Sequence, residues 1–189
     1  MENFLAELMK DLEKTNQGHI FYHFSDKEKY LQNALHFIVS TVKNGSHVFV
    51  VENDRNIISL HSNLKDILND EQFETVHFIN NFDFYYANGD FHAQTIFDYF
   101  KTTIEPYLES QVPVCTWGLI EWSDGNDITN SIEQYENDVD MHIKDKGVIS
   151  VCAYDANRTP RELVEILIRC HGIMLTDDQV HYLRDQKTI

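Results

Sequence analysis

The chain has 189 residues, 42% of them hydrophobic and 12% aromatic, enough to build a full core within a single domain, 1–189, and its 3 prolines and 7 glycines leave little room for a linker. With 31 acidic against 15 basic residues the net charge is −16, a surface that repels phosphate backbones and anionic lipid and so argues against nucleic-acid or membrane binding. Cys115, Cys152 and Cys170 are odd in number, well separated and set in apolar stretches, which speaks against a disulfide framework or a CxxC zinc site and for reduced thiols in a cytoplasmic protein.

Phe4, Leu5, Leu8, Met9 and Leu12 fall on one face of an amphipathic helix that Asn16-Gln17-Gly18 ends. The acidic residues Glu2 and Glu7 in this segment are unlike a signal peptide, and no stretch reaches the about 18 apolar residues of a membrane span. HIFYHF (19–24) reads as a buried strand, with Ser25 and Glu28 spaced as a capping box for the helix that follows to Asn44-Gly45. Strand 47–53, helix 55–69 and strand 74–80 repeat the alternation. A helix over 91–110 contains Pro106, which is expected to kink it or split off its end. Strand 113–122, helix 127–146, strand 148–155 and a helix from Thr159-Pro160 to Cys170 follow. GIML (172–175) adds an edge strand, and 176–189 is a tail or helix. Fully apolar strands alternating with helices of 12–20 residues predict an α/β fold with a mostly parallel sheet covered on both faces.

A parallel sheet of this kind places ligands at the carboxyl ends of its strands. The first such turn, HFSDKEKY, has no glycine, and Asp26 stands where a phosphate-binding loop would cradle anions. GxGxxG, GxSxG and HExxH are all absent. His19 and His23 share one face of their strand, a spacing that suits a hydrogen-bonded or solvent-facing pair better than metal ligation. Glu52, Glu121 and Asp155 each end a strand on the same edge. They form either an acidic cleft, with Glu121 as ligand or base, or a set of caps for neighbouring turns.

Four segments, GHIFYHF (18–24), IVSTVKNGSHVFVV (38–51), WGLIEW (117–122) and VCAYDANRTPRELVEILIRCHGIML (151–175), make the chain from Gly18 to about Leu175 resemble the MEDS domain, the sensory domain of methanogen and methylotroph signalling proteins related to the dichloromethane-responsive regulator. The last segment is the most specific. The resemblance implies a RecA-like fold without a working phosphate loop, and the sensing of small ligands, hydrocarbon derivatives among them. Matched position by position, it implies ligand-binding roles for His19, Glu121, Glu136, Tyr154, Asp155 and His171, with Cys152 in the same strand-end motif. Phe24 stands where the family usually has tyrosine, and Gly172 where proline often follows the histidine.

In a RecA-like strand order the first and fifth strands are neighbours, so His19 and His171 both lie at the amino edge, within reach of Glu136. Two imidazoles and a carboxylate there would bind a metal, orient a polar ligand, respond to pH, or simply fix the fold. No metal or cofactor is assigned. The leading expectation is a non-catalytic sensory domain that binds a small molecule or a signalling protein, with a second copy of the chain as another candidate partner. A divergent nucleotide hydrolase using Glu121 and a pure interaction module are the alternatives.

Overall fold

The computed structural model describes residues 4–12, 18–123 and 128–183. Its elements run α1 (Phe4–Leu12), β1 (His19–Phe24), α2 (Lys27–Lys43), β2 (His47–Glu52), α3 (Asp54–Ile67), α4 (Asp70–Phe73), β3 (Val76–Asn80), α5 (Asn81–Tyr85), α6 (Ala93–Glu109), β4 (Val114–Leu119), α7 (Thr129–Ile143), β5 (Ile149–Asp155), α8 (Arg161–Cys170), β6 (Ile173–Leu175) and β7 (Val180–Tyr182). The seven strands form one sheet in the order β3-β2-β4-β5-β1-β6-β7, parallel except for the antiparallel β6–β7 pair. The α/β class and the mostly parallel sheet are therefore as the apolar strands require.

Two cores sandwich the sheet. On one face Ile20, Tyr22 and Phe24 of β1 pack with Trp117, the inner faces of α2 and α3, and Leu5, Leu8, Met9 and Leu12 of α1. On the other, Phe21 of β1 joins Cys152, Tyr154 and the buried sides of α5 to α8. The amphipathic helix α1 thus buries its stripe on its own domain, against α2. The period-2 alternation of β1 sends His19, Phe21 and His23 to the second face, which is what brings His19 to the helices carrying Glu136 and His171.

Several boundaries differ from the sequence pattern, each for a local reason. The N-cap of α2 is Asp26, whose carboxylate accepts from the Glu28 and Lys29 amides; Ser25 is not the cap. Pro106 lies inside α6 without ending it, because a proline near the last turn forfeits little while Phe100 and Ile104 stay buried. Residues 70–73 form a short helix with an Asn69–Gln72 capping box, so β3 starts at Val76. On α3, Leu60 and Leu64 are buried while Ile58 and Ile67 are 71% and 46% exposed. β6 is an inner strand, and the segment expected as a tail or helix supplies β7 beside it. The helix ends expected at 1–3 and 13–17 lie outside the described residues.

Gly18 sets the position of His19. A Cβ at residue 18 would stand 2.1 Å from the Val148 carbonyl oxygen, and the Gly18 carbonyl accepts from Ser150 N–H at 2.7 Å. Only a residue without a side chain lets β1 start this close to β5. Gly18→Ala should lower unfolding free energy by about 1–3 kcal/mol in urea titration, the usual range for overpacking against a fixed neighbour.

Candidate functional site

At the amino edge, on the second face, four side chains from four elements converge. His19 opens β1, Cys152 lies within β5, Glu136 sits on the inner side of α7, and His171 caps the carboxyl end of α8. All four are buried, Glu136 and His171 completely. The two imidazoles stack with centroids 3.9 Å apart. Glu136 Oε2 lies 3.2 Å from His19 Nε2 and 3.5 Å from His171 Nε2, and Cys152 Sγ is 3.5 Å from His19 Nε2. The other Glu136 oxygen accepts the Tyr154 hydroxyl. Behind the histidines, His19 Nδ1 faces the Asp140 carboxylate at 3.3 Å and His171 Nδ1 lies 2.7 Å from the Leu167 carbonyl.

The electrostatics follow from this packing. Burial alone would push Glu136 up, but His171 and His19 outweigh it and hold the carboxyl well below the usual range, so it is ionised. His19 is raised: burial opposes its charge, yet Asp140 and Glu136 together prevail. His171 is lowered, first by burial and then by His19, against the opposing pull of Glu136, and its Nδ1–H is donated to the Leu167 carbonyl. Burial, and after it the neighbouring Glu136, pushes the Cys152 thiol up, which favours its protonated form.

The remaining residues named from the sequence lie elsewhere. Glu121, just past β4, accepts from Asn81 Nδ2 at 2.8 Å and Asn53 Nδ2 at 3.3 Å. Asp155 accepts from the amide and side chain of Asn157 and so caps its own turn. Glu52 is wholly buried beneath the edge, accepting from the Tyr30 hydroxyl, Trp117 Nε1 at 3.3 Å and Asn56 Nδ2 at 2.8 Å. The three acids thus hold separate hydrogen-bonded stations and do not make one open acidic cleft.

The connections after β2 and β4 leave in opposite directions, to β3 through α3 on one face and to β5 through α7 on the other. Such a divergence opens a crevice at the carboxyl ends. A cleft of about 700 Å³ lies in this region, between the ends of β3 and β4 and the start of α7, where Phe82, Tyr86, Phe91 and Trp122 supply apolar walls and Glu121 and Arg158 the charges. Arg158 donates to the Trp122 carbonyl and lies 5.7 Å over its ring.

At the carboxyl end of β1, the place where a phosphate loop would follow holds an anion already. The Asp177 carboxylate, from the turn between β6 and β7, accepts from Ser25 N–H at 3.1 Å, Asp26 N–H at 3.1 Å and Ser25 Oγ at 2.7 Å. Its neighbour Asp178 pairs with Lys29 at 2.7 Å. The amino end of α2, with its free amides and dipole, is satisfied from within the chain.

A parallel sheet of this order, covered on both faces, defines an α/β domain of the RecA-like class. Two solved structures have the same architecture: a protein from Pyrococcus horikoshii OT3 (10% identity, TM-score 0.55, covering 96% of this chain and 93% of that one) and an ATPase domain (9% identity, TM-score 0.50, covering 85% and 69%). At that identity the likeness is one of fold. No curated protein sequence matches the chain. The family model of the MEthanogen/methylotroph, DcmR Sensory domain matches residues 18–172, and the chain belongs to this MEDS family. Among the described residues no helix is long and apolar enough to cross a membrane.

Burial, opposed by its three hydrogen-bond donors, pushes the Glu52 carboxyl up to about 7. The folded state then holds a proton that the unfolded chain releases near pH 4.5. The stability this contributes is present below pH 4.5 and is lost as pH rises to 7. Chemical denaturation at pH 5 and 8 should show the wild type weakening across that interval, and Glu52→Gln, which cannot ionise, should weaken measurably less.

Proposed function

We propose that this domain is a non-catalytic sensor that binds a small molecule with an apolar body and a polar or anionic group in the carboxyl-edge cleft, and that it relays occupancy to a signalling protein. The observation that carries the reading is the pairing of that cleft with a phosphate position filled by Asp177. Aromatic walls would take the body of the ligand, while Arg158 would bind its polar group and Glu121 would set its orientation. Phe82, 65% exposed at the rim, is the side chain a ligand would cover. Membership in a family of sensory domains supports the same reading. The acidic surface directs the relay toward protein partners, a second copy of the chain included, rather than toward nucleic acid or membrane.

A nucleotide hydrolase would need phosphate recognition at the first turn, where Asp26 and Asp177 present two carboxylates instead. Thermal unfolding with millimolar Mg-ATP should therefore match that of the free protein. A rise of several degrees would contradict the proposal, since ligand at about 100 times its dissociation constant adds roughly 2.7 kcal/mol.

Intact mass spectrometry of gently purified protein should detect a small adduct that denaturation releases. Arg158→Ala should reduce its occupancy about tenfold or more, the loss expected for one charge-assisted hydrogen bond. A retained nucleotide, or an adduct indifferent to Arg158, would count against the cleft.

A further inference from the structure

The amino-edge cluster has a feature that its role in packing leaves unexplained. His171 Nδ1 is committed as donor to the Leu167 carbonyl, and its Nε2 faces Glu136 Oε2 from 3.5 Å. Neither of those two buried atoms makes a hydrogen bond of proper geometry. Buried polar atoms left without a hydrogen bond are unfavourable unless another charge or ion engages them. Both imidazoles are oriented the same way: Nδ1 is backed by an oxygen, Asp140 for His19 and Leu167 for His171, and Nε2 is turned inward. This is how ligating histidines are held by the groups behind them. Glu136 is likewise fixed through its other oxygen by Tyr154.

We propose that His19 Nε2, Glu136 Oε2, Cys152 Sγ and His171 Nε2 form a closed four-ligand site for a borderline divalent transition metal ion, zinc foremost. These atoms all lie within 4.8 Å of one another, and three of the separations are 3.2, 3.5 and 3.5 Å. Tetrahedral zinc, with nitrogen and oxygen ligands at about 2.0–2.1 Å and sulfur at about 2.3 Å, needs ligand separations of about 3.3–3.6 Å. Two imidazoles and a sulfur select zinc, cobalt(II) or iron(II) over magnesium and calcium, which prefer oxygen. The charges also balance: one thiolate and one carboxylate offset the ion, leaving the buried site neutral. On binding, a proton on His19 and the proton of the Cys152 thiol pass to solvent, and both groups become ligands. Asp140, whose side chain is 24% exposed, stands between His19 and water and marks the side from which an ion enters.

The full chain, expressed with zinc(II) or cobalt(II) in the medium and also refolded with one equivalent of either ion, tests the site. Metal analysis after gel filtration should find one ion per chain by at least one route. The cobalt form should show the strong visible absorption of tetrahedral coordination and a thiolate-to-cobalt charge-transfer band in the near ultraviolet. Cys152→Ser should lose that band, while Cys115→Ser and Cys170→Ser should keep it. Asp140→Asn, acting only by positioning His19, should weaken metal affinity about 10–100-fold in chelator competition while circular dichroism stays native. Folded wild-type protein free of metal by both routes would overturn the proposal, as would a charge-transfer band that survives Cys152→Ser. If Cys152→Ser fails to fold, the wild-type stoichiometry and spectrum still decide.

Discussion

A single ionised carboxylate holds the second face of this domain together. Glu136 has no exposed surface, yet it touches side chains from β1, β5 and α8 while itself standing on α7. A buried carboxylate is tolerated only beside groups that offset its charge, so each of these elements must keep its register for the others to be tolerated. The backbone contact at Gly18, the inward face of His19 and the return of α8 to the amino edge all serve that one requirement. Removing one of the partners would leave a charge stranded in the core, which is why the cluster acts as a fixed point rather than as a collection of independent contacts.

The division of labour between the two edges follows. At the amino edge the polar groups are dry, stacked and tied to helices, and they tolerate little motion. At the carboxyl edge the side chains line an open cleft, and their hydrogen bonds run to loops. Strand β5 spans both: Cys152 belongs to the buried cluster, Tyr154 reaches Glu136, and Asp155 begins the turn that carries Arg158.

The meeting of His19, His171 and Glu136 was legible because it depends only on strand order and on helices running antiparallel to strands. Tyr154 and Cys152 were legible as a motif, but the sharing of Glu136 by both could not be read without the twist of the sheet. Asp140 could have been found, since it follows Glu136 by one helical turn and must share its face. Asp155 does end its strand, while Glu121 falls two residues past the end of β4, and whether such an acid opens to water or bonds to a nearby asparagine depends on loop geometry. Asp177 was out of reach of any local pattern. It lies 152 residues from Ser25, in a segment whose sequence shows no strong period, and its carboxylate acts through a turn between two strands of three residues each. The same long-range hairpin explains why the tail was misread.

That hairpin bears on the descent and engineering of the fold. If a glycine-rich loop were grafted between β1 and α2, the amides it offered would still be claimed by a carboxylate delivered from the far end of the chain. A phosphate brought to that turn would meet an internal competitor at very high effective concentration. Engineering an anion site there would require changing two distant segments together.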